Sequence, residues 1–263
     1  MSLIYAIVLG FIQGITEFLP ISSSGHLLLF EHIFGINEGN LFFNILLHLA
    51  SLLAVVIVMR RELFELIKKP FSKQTLSVVV CSVVTVLIVL LLSFTMDKFT
   101  SLGYLGFGFF ASAILIFVTH VASKRSEKSV ITKQDISYAD AIIIGITQGL
   151  ATLPGISRSG TTICTALLLG NSKESSANFS FVISIPIIIG AMIFDIIKEG
   201  GDIVCNISAV SCIAGFVVSF FMALLSIKLM YKIIKNKSWI GFSIYLFVLS
   251  IFVLLNQYVF MWI

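Results

Sequence analysis

The chain has 263 residues, of which 58% are apolar and only 11% charged, and its mean hydropathy is +1.09. Soluble domains carry about a quarter charged residues, so a soluble globular fold is excluded and a polytopic helical membrane protein fits. The formal net charge of +4 does not point to nucleic acid, because the basic residues sit in short segments between apolar runs.

In chain order, the first residues lack the basic stretch and cleavage site of a signal peptide, so the chain is expected to be mature from Met1. Residues 3–19 are apolar and helix-like until Pro20 and the serine-glycine run break them, and residues 26–34 resume briefly before a polar stretch from Gly35 to Asn40. Neither half is a comfortable span, since a crossing needs about 20 apolar residues. The pair reads as a re-entrant hairpin, because broken backbone at membrane depth is tolerated where it lines a cavity. Two ordinary short helices would leave the parity of the spans unchanged. Full spans are expected at about 41–59, 76–96 and 102–122, a second hairpin at about 138–171, and further spans at about 178–197, 207–230 and 239–260. Cys81, Cys164, Cys205 and Cys212 lie in apolar segments with no CxxC pair, and read as small buried hydrophobes rather than a disulfide framework or zinc site.

The two hairpins are copies. Gln13 to His26 aligns with Gln148 to Thr161 at a constant offset of 135 residues. Ala6, Ile7, Gly10, Gln13, Gly14, Ile21, Ser22, Ser24 and Gly25 meet identical residues at Ala141, Ile142, Gly145, Gln148, Gly149, Ile156, Ser157, Ser159 and Gly160. Where the copies differ, reactive groups appear: Glu17 faces Thr152, Ser23 faces Arg158, and His26 faces Thr161. The later spans follow the same offset. The expected fold is therefore one all-α membrane domain over 1–263, built of two repeats (about 1–125 and 136–260), each a re-entrant helical hairpin plus three transmembrane helices.

Basic residues set the expected orientation. They crowd the segment after the first span (Arg60, Arg61, Lys68, Lys69, Lys73), the one before the second hairpin (Lys124, Arg125, Lys128, Lys133) and the one before the last span (Lys228, Lys232, Lys235, Lys237). Lys98 and Lys198 stand almost alone between the others. The positive-inside rule places the crowded segments in the cytoplasm. With three spans per repeat the second copy is inverted, the first hairpin enters from outside, and both termini lie outside. Trp262 and Tyr258 would anchor the outer end and Trp239 the inner one. Inverted repeats whose broken helices meet near the midplane are a known way to build a site.

The tips hold the chemistry. Glu17 and Arg158 are ionisable groups in apolar surroundings, costly there and functional by default. Gly25 and Gly160 are expected to let each backbone turn tightly, and the helices that begin there offer free N–H groups, an anion site. Ser22, Ser23, Ser24, Ser157, Ser159 and Thr162 add hydroxyls, and Arg158 can clamp phosphate bidentately. A phosphate-bearing ligand reached from within the membrane is the preference of this set. Ser23 and His26 are three residues apart; with a helix starting near Ser24, His26 would lie over Ser23 as acid or base. Gln13 and Glu17 share a helix face, and Glu17 could bind a divalent cation that bridges phosphate oxygens. His48, His120, Glu31 and His32 are expected to be packing or interfacial groups, and Asp195 to cap a helix or pair with Lys198.

These residues resemble the bacterial undecaprenyl pyrophosphate phosphatases of the bacitracin-resistance type. Gln13, Glu17 and Phe18-Leu19-Pro20-Ile21-Ser22-Ser23-Ser24-Gly25-His26 meet the family's first motif, (Q/E)xxxE followed by FLP(V/I)SS(S/T)GH; Pro154, Gly155, Ser157, Arg158, Ser159 and Thr162 meet its second, PGxSRSxxT. Gln13 takes the Gln option where some members carry Glu. The resemblance implies a membrane enzyme that hydrolyses undecaprenyl diphosphate to the monophosphate and inorganic phosphate, recycling the lipid carrier of cell-wall synthesis and conferring bacitracin resistance. It implies Ser23, His26, Glu17 and Arg158 as catalytic residues, with Gln13, Ser22, Ser24, Gly25, Ser157, Ser159 and Thr162 around the phosphates. It also implies a divalent cation (Mg2+ or Ca2+) at Glu17, a site open to the outer face of the bacterial plasma membrane, no nucleic-acid partner, and room for a homodimer. The phosphatidic-acid type of lipid phosphatase shares Ser-Gly-His and Ser-Arg pieces, but Cys164 stands where its later His belongs. A rival from another class is a transporter or flippase of a lipid phosphate, which needs the charge clamp but not the Ser23–His26 pair.

Overall fold

A computed structural model describes residues 1–35, 41–96, 102–126, 133–198, 207–236 and 239–260. Of the residues used above, Asn40, Lys98, Lys128, Lys237, Cys205 and Trp262 lie outside these ranges. Among the described residues the regular elements are helices: α1 (Leu3–Glu17), α2 (Ser23–Ile33), α3 (Leu41–Val58), α4 (Arg60–Lys68), α5 (Lys73–Met96), α6 (Leu102–Ser126), α7 (Tyr138–Leu150), α8 (Arg158–Leu168), α9 (Lys173–Lys198), α10 (Ala209–Asn236) and α11 (Ile240–Leu255), with a π turn over Asn256–Phe260. Six of these, α3, α5, α6, α9, α10 and α11, are long and apolar enough to cross a membrane. The protein is a polytopic membrane protein.

Of the short helices, α1, α2, α7 and α8 form two pairs, each broken in the middle by proline and serine. Helix α2 at Ser23–Ile33 and helix α8 at Arg158–Leu168 coincide at the 135-residue offset. Packing follows the same duplication: α1 lies along α10, and its copy α7 lies along α5. Small residues allow this closeness. Gly10 meets the backbone of Gly215 and Gly14 that of Ser219, whereas Gly145 meets Cys81 and Gly149 meets Ile88 and Thr85. In hydrocarbon there is no water to drive helices together, so such close backbone approach is what gives the packing its energy.

The main core cluster gathers beneath both broken segments and includes Phe18, Ile21, Phe109, Ile163 and Phe181. Phe18 and Phe181 meet edge to face at 5.7 Å. Large apolar residues instead cover the outside, with Leu91 and Phe94 of α5 and Phe107 and Phe117 of α6 exposed as a lipid-facing surface requires. Two details depart from the sequence reading. Helix α4 was not anticipated: it carries Arg60, Arg61 and Lys68 beside exposed Phe64 and Ile67, the pattern of a helix lying in the membrane interface. Trp239, expected to anchor the inner end, precedes α11 and is buried in the main cluster rather than exposed on the surface.

Candidate active site

Each broken segment ends in a capped helix start. In the first, α1 stops at Glu17, Ser22 adopts a positive φ of 68°, and its hydroxyl accepts from the Gly25 N–H at 3.3 Å. In the second, the positive φ falls on Gly155 (83°), and the Ser157 hydroxyl accepts from the Gly160 N–H at 3.1 Å. Gly25 and Gly160 therefore do not make the turns, contrary to the sequence reading. They lie in the first turns of α2 and α8, where a side chain would be crowded: a Cβ on Gly25 would sit 2.7 Å from the Phe109 ring, and one on Gly160 3.0 Å from Pro20. A non-glycine residue at positive φ is strained, and Ser22 is the residue on which the first tip places that strain. The Ser159 hydroxyl donates to the Leu19 carbonyl at 2.9 Å and ties one tip to the other.

The tips bring Glu17, Ser23 and Arg158 together. One Arg158 guanidinium nitrogen donates to Glu17 Oε1, and another to the Ser184 carbonyl at 3.3 Å. The other carboxylate oxygen of Glu17, Oε2, accepts from the Ser23 hydroxyl at 2.5 Å and from Gln13 Nε2 at 3.0 Å. Glu17 is 4% exposed. A carboxylate so buried persists as an anion only when paired and hydrogen-bonded, and these three donors meet that need.

His26 is not part of this cluster. Helix α2 starts at Ser23 rather than Ser24, and the imidazole turns back to the Ser22 carbonyl (Nδ1, 2.7 Å) and across to the Tyr245 hydroxyl (Nε2, 2.6 Å). It stacks on Tyr245 and meets Phe109 edge-on. The Ser23–His26 pair expected from sequence does not form; Ser23 has Glu17 instead. Thr162 also points elsewhere, its hydroxyl bonded to Ser180 at 2.6 Å. Gln13 is fully buried and bridges Glu17, His48 (2.9 Å) and Ser51 (3.4 Å).

A cavity of about 390 Å³ opens over the cluster. Glu17, Ser22, Ser23, Ser24, Ser157 and Arg158 form its polar end, and Leu27, Leu28, Ile45, Ile187, Ile188 and Met192 its apolar wall. A ligand with a phosphate head and a hydrocarbon tail matches both ends. Glu31, Asn44, His48 and Asp195 also line it. His48 and Glu31, assigned from sequence to packing or the interface, thus belong to the site. The signal for His48 was available: an ionisable group in the middle of an apolar span is a functional candidate by default.

Among the described residues no three His, Cys, Asp or Glu side chains converge into a metal cage. The two oxygens of Glu17 already accept three hydrogen bonds of about four they can take. One position remains, and a single carboxylate completed by substrate phosphates is how Mg2+ is commonly held. Glu17 is the residue that would hold such a cation, with a bound phosphate completing its shell.

Fold and site together define a polytopic helical membrane protein with a carboxylate–arginine–serine cluster where two broken helices meet. The chain belongs to the family described as bacitracin resistance protein BacA, which it matches over residues 6–252. It is 38% identical over 262 residues to an undecaprenyl-diphosphatase of Carboxydothermus hydrogenoformans, with 98% of each chain covered. It is likewise 38% identical to undecaprenyl-diphosphatase 3 of Bacillus cereus (98% of each covered) and 35% identical to an undecaprenyl-diphosphatase of Christiangramia forsetii (98% and 99% covered).

Proposed function

We propose that the chain is an integral membrane phosphatase that hydrolyses undecaprenyl diphosphate to undecaprenyl phosphate and inorganic phosphate. It thereby recycles the lipid carrier of cell-wall synthesis and confers resistance to bacitracin. Membership of the BacA family and the names of relatives that match almost end to end support this reading. The observation that carries it is the Ser23 hydroxyl held on Glu17 Oε2 at 2.5 Å, in the polar end of a cavity whose wall is apolar.

In this reading Ser23 Oγ attacks the terminal phosphorus and Glu17 takes its proton. A P–O bond forms to Ser23, and the bond to the bridging oxygen breaks, releasing undecaprenyl phosphate. Water then displaces Ser23 from phosphorus, and Glu17 returns the proton to Ser23 while inorganic phosphate leaves. Arg158, already aligned on Glu17, stands beside the attacked phosphate and balances its charge as it develops. The N–H groups of Ser23 and Ser24 at the start of α2 add donors. His26, bonded to Ser22 and Tyr245, holds the first tip in shape rather than attacking phosphorus. A divalent cation at Glu17, Mg2+ or Ca2+, would supply Lewis-acid charge to the phosphate oxygens.

The finer architecture belongs to the same proposal. The matched helix bounds of α2 and α8, with the exchanged packing of α1 on α10 and α7 on α5, support an inverted repeat with two re-entrant hairpins. The basic residues on α4 and near the end of α10 support a cytoplasmic placement for those ends. The cavity then opens outward. Purified protein in detergent should release inorganic phosphate from undecaprenyl diphosphate, and the Ser23→Ala protein should not. Binding of the lipid without phosphate release by wild type would overturn the enzyme reading in favour of a carrier.

A further inference from the structure

We propose that His48 is a diphosphate-binding residue of this site, and that Gln13 fixes the tautomer in which it works. The inference rests on the phosphatase reading for its ligand, and on geometry for the rest. The Glu17 carboxylate accepts only, so the Gln13 atom 3.0 Å from it must be the amide nitrogen. That same nitrogen lies 2.9 Å from His48 Nδ1. A donor facing Nδ1 requires Nδ1 to be the bare, accepting nitrogen, which puts the imidazole proton on Nε2. Among the described residues Nε2 has no partner, the side chain is 31% exposed, and His48 lines the cavity.

His48 therefore presents an N–H donor to the cavity that Glu17, Ser23 and Arg158 also line. His26 does not, since both its nitrogens are taken and it does not line the cavity. The other charged groups lining that space are Glu31 and Asp195, both acidic in type and so unable, when ionised, to serve a phosphate oxygen. On this wall of the cavity the side-chain donors are His48 and Asn44, and Asn44 already gives an amide hydrogen to Glu31 at 3.0 Å. The chain Glu17 to Gln13 to His48 also gives Gln13 a role. A carboxylate at that position would lie against Glu17 and would draw the His48 proton to Nδ1, turning Nε2 into an acceptor.

The test uses purified protein in detergent and a prenyl methylenediphosphonate, which cannot be hydrolysed at its P–C–P bridge. Gln extends an amide donor to where Nε2 of His lies, whereas Asn reaches only the Nδ1 position. His48→Ala and His48→Asn should each weaken analogue binding by about 10- to 100-fold, the worth of a hydrogen bond to a charged group, and His48→Gln should restore most of it. Gln13→Glu should weaken binding as well. In histidine-selective 15N NMR, the signal lost in His48→Gln should be that of an Nε2–H tautomer. Unchanged binding in His48→Ala, equal loss in Asn and Gln variants, or an Nδ1–H tautomer would overturn the proposal. Absence of phosphate release by wild type would sink the phosphatase reading, yet leave the binding pattern and the NMR signature to decide the role of His48.

Discussion

Ser23 and Arg158 occupy equivalent positions of the two repeats, and Glu17 accepts from both through its two oxygens. That arrangement makes the three substitutions separable. Ser23→Ala removes the attacking oxygen and should reduce phosphate release to background while analogue binding persists, weakened by no more than about 10- to 100-fold, the worth of a hydrogen bond to a charged group. Glu17→Gln keeps the shape but not the proton acceptor, and positioned acid–base help is worth about 10²–10⁴-fold. Its turnover should fall by that order, measured in a single-turnover assay. Arg158→Lys retains charge but loses the planar fork that spans Glu17 and the Ser184 carbonyl. It should raise KM and lower kcat together, and near-normal kinetics would show that Arg158 serves only as a point charge. None of the three substitutions removes a partner of His26, which bonds to Ser22 and Tyr245, so a loss of activity there is expected to report the cluster and not the tip as a whole.

At the scale of elements, the site depends on how close α1 comes to α10. A Cβ on Gly14 would meet the backbone of Ser219 and Ala223 directly, with Met222 Cβ at 2.7 Å, and backbone cannot yield as a flexible side chain can. Gly14→Ala should therefore push α1 outward. Overpacking of this kind costs about 1–3 kcal/mol, visible as a lowered thermal midpoint in detergent. Because Gly14 lies one residue from Gln13 and three from Glu17, turnover should fall with it. Gly149→Ala in the copied helix α7 should destabilise through Ile88, a side chain, with less effect on kcat, since α7 carries none of the Glu17 cluster. Equal effects of the two substitutions on turnover would mean that the site senses overall looseness rather than the position of α1.

For the whole molecule, the proposed orientation places the α2 end of the cavity outside and α4 in the cytoplasm. His32 and Lys68 are both exposed. In an active background lacking Cys81, Cys164, Cys205 and Cys212, a cysteine replacing His32 should react with an impermeant thiol reagent on intact cells. One replacing Lys68 should react only after the inner face is opened. The reverse pattern would invert the molecule and with it the side from which substrate arrives.

Much of this was legible without coordinates. Composition alone forced a membrane protein, the offset between Gly10 and Gly145 exposed the duplication, and each tip declared its own hydroxyls, because all of these are local in sequence. The convergence of Glu17 and Arg158 was legible too, as two costly charges in one apolar setting. What sequence left open was which other side chains pair across helices. In lipid, most faces of a helix are apolar, so periodicity does not say which face meets which neighbour. Only packing turned His26 toward Tyr245 on α11 and away from Ser23, gave Ser23 to Glu17, and set His48 of α3 against Gln13 of α1. Nor could spacing reveal that Gly25 and Gly160 keep two tips in contact while Ser22 and Gly155 make the turns. The sequence determined which groups the membrane would have to hold; the tertiary structure decided their partners, because hydrogen bonds between helices depend on angstrom distances that no pattern along one helix encodes.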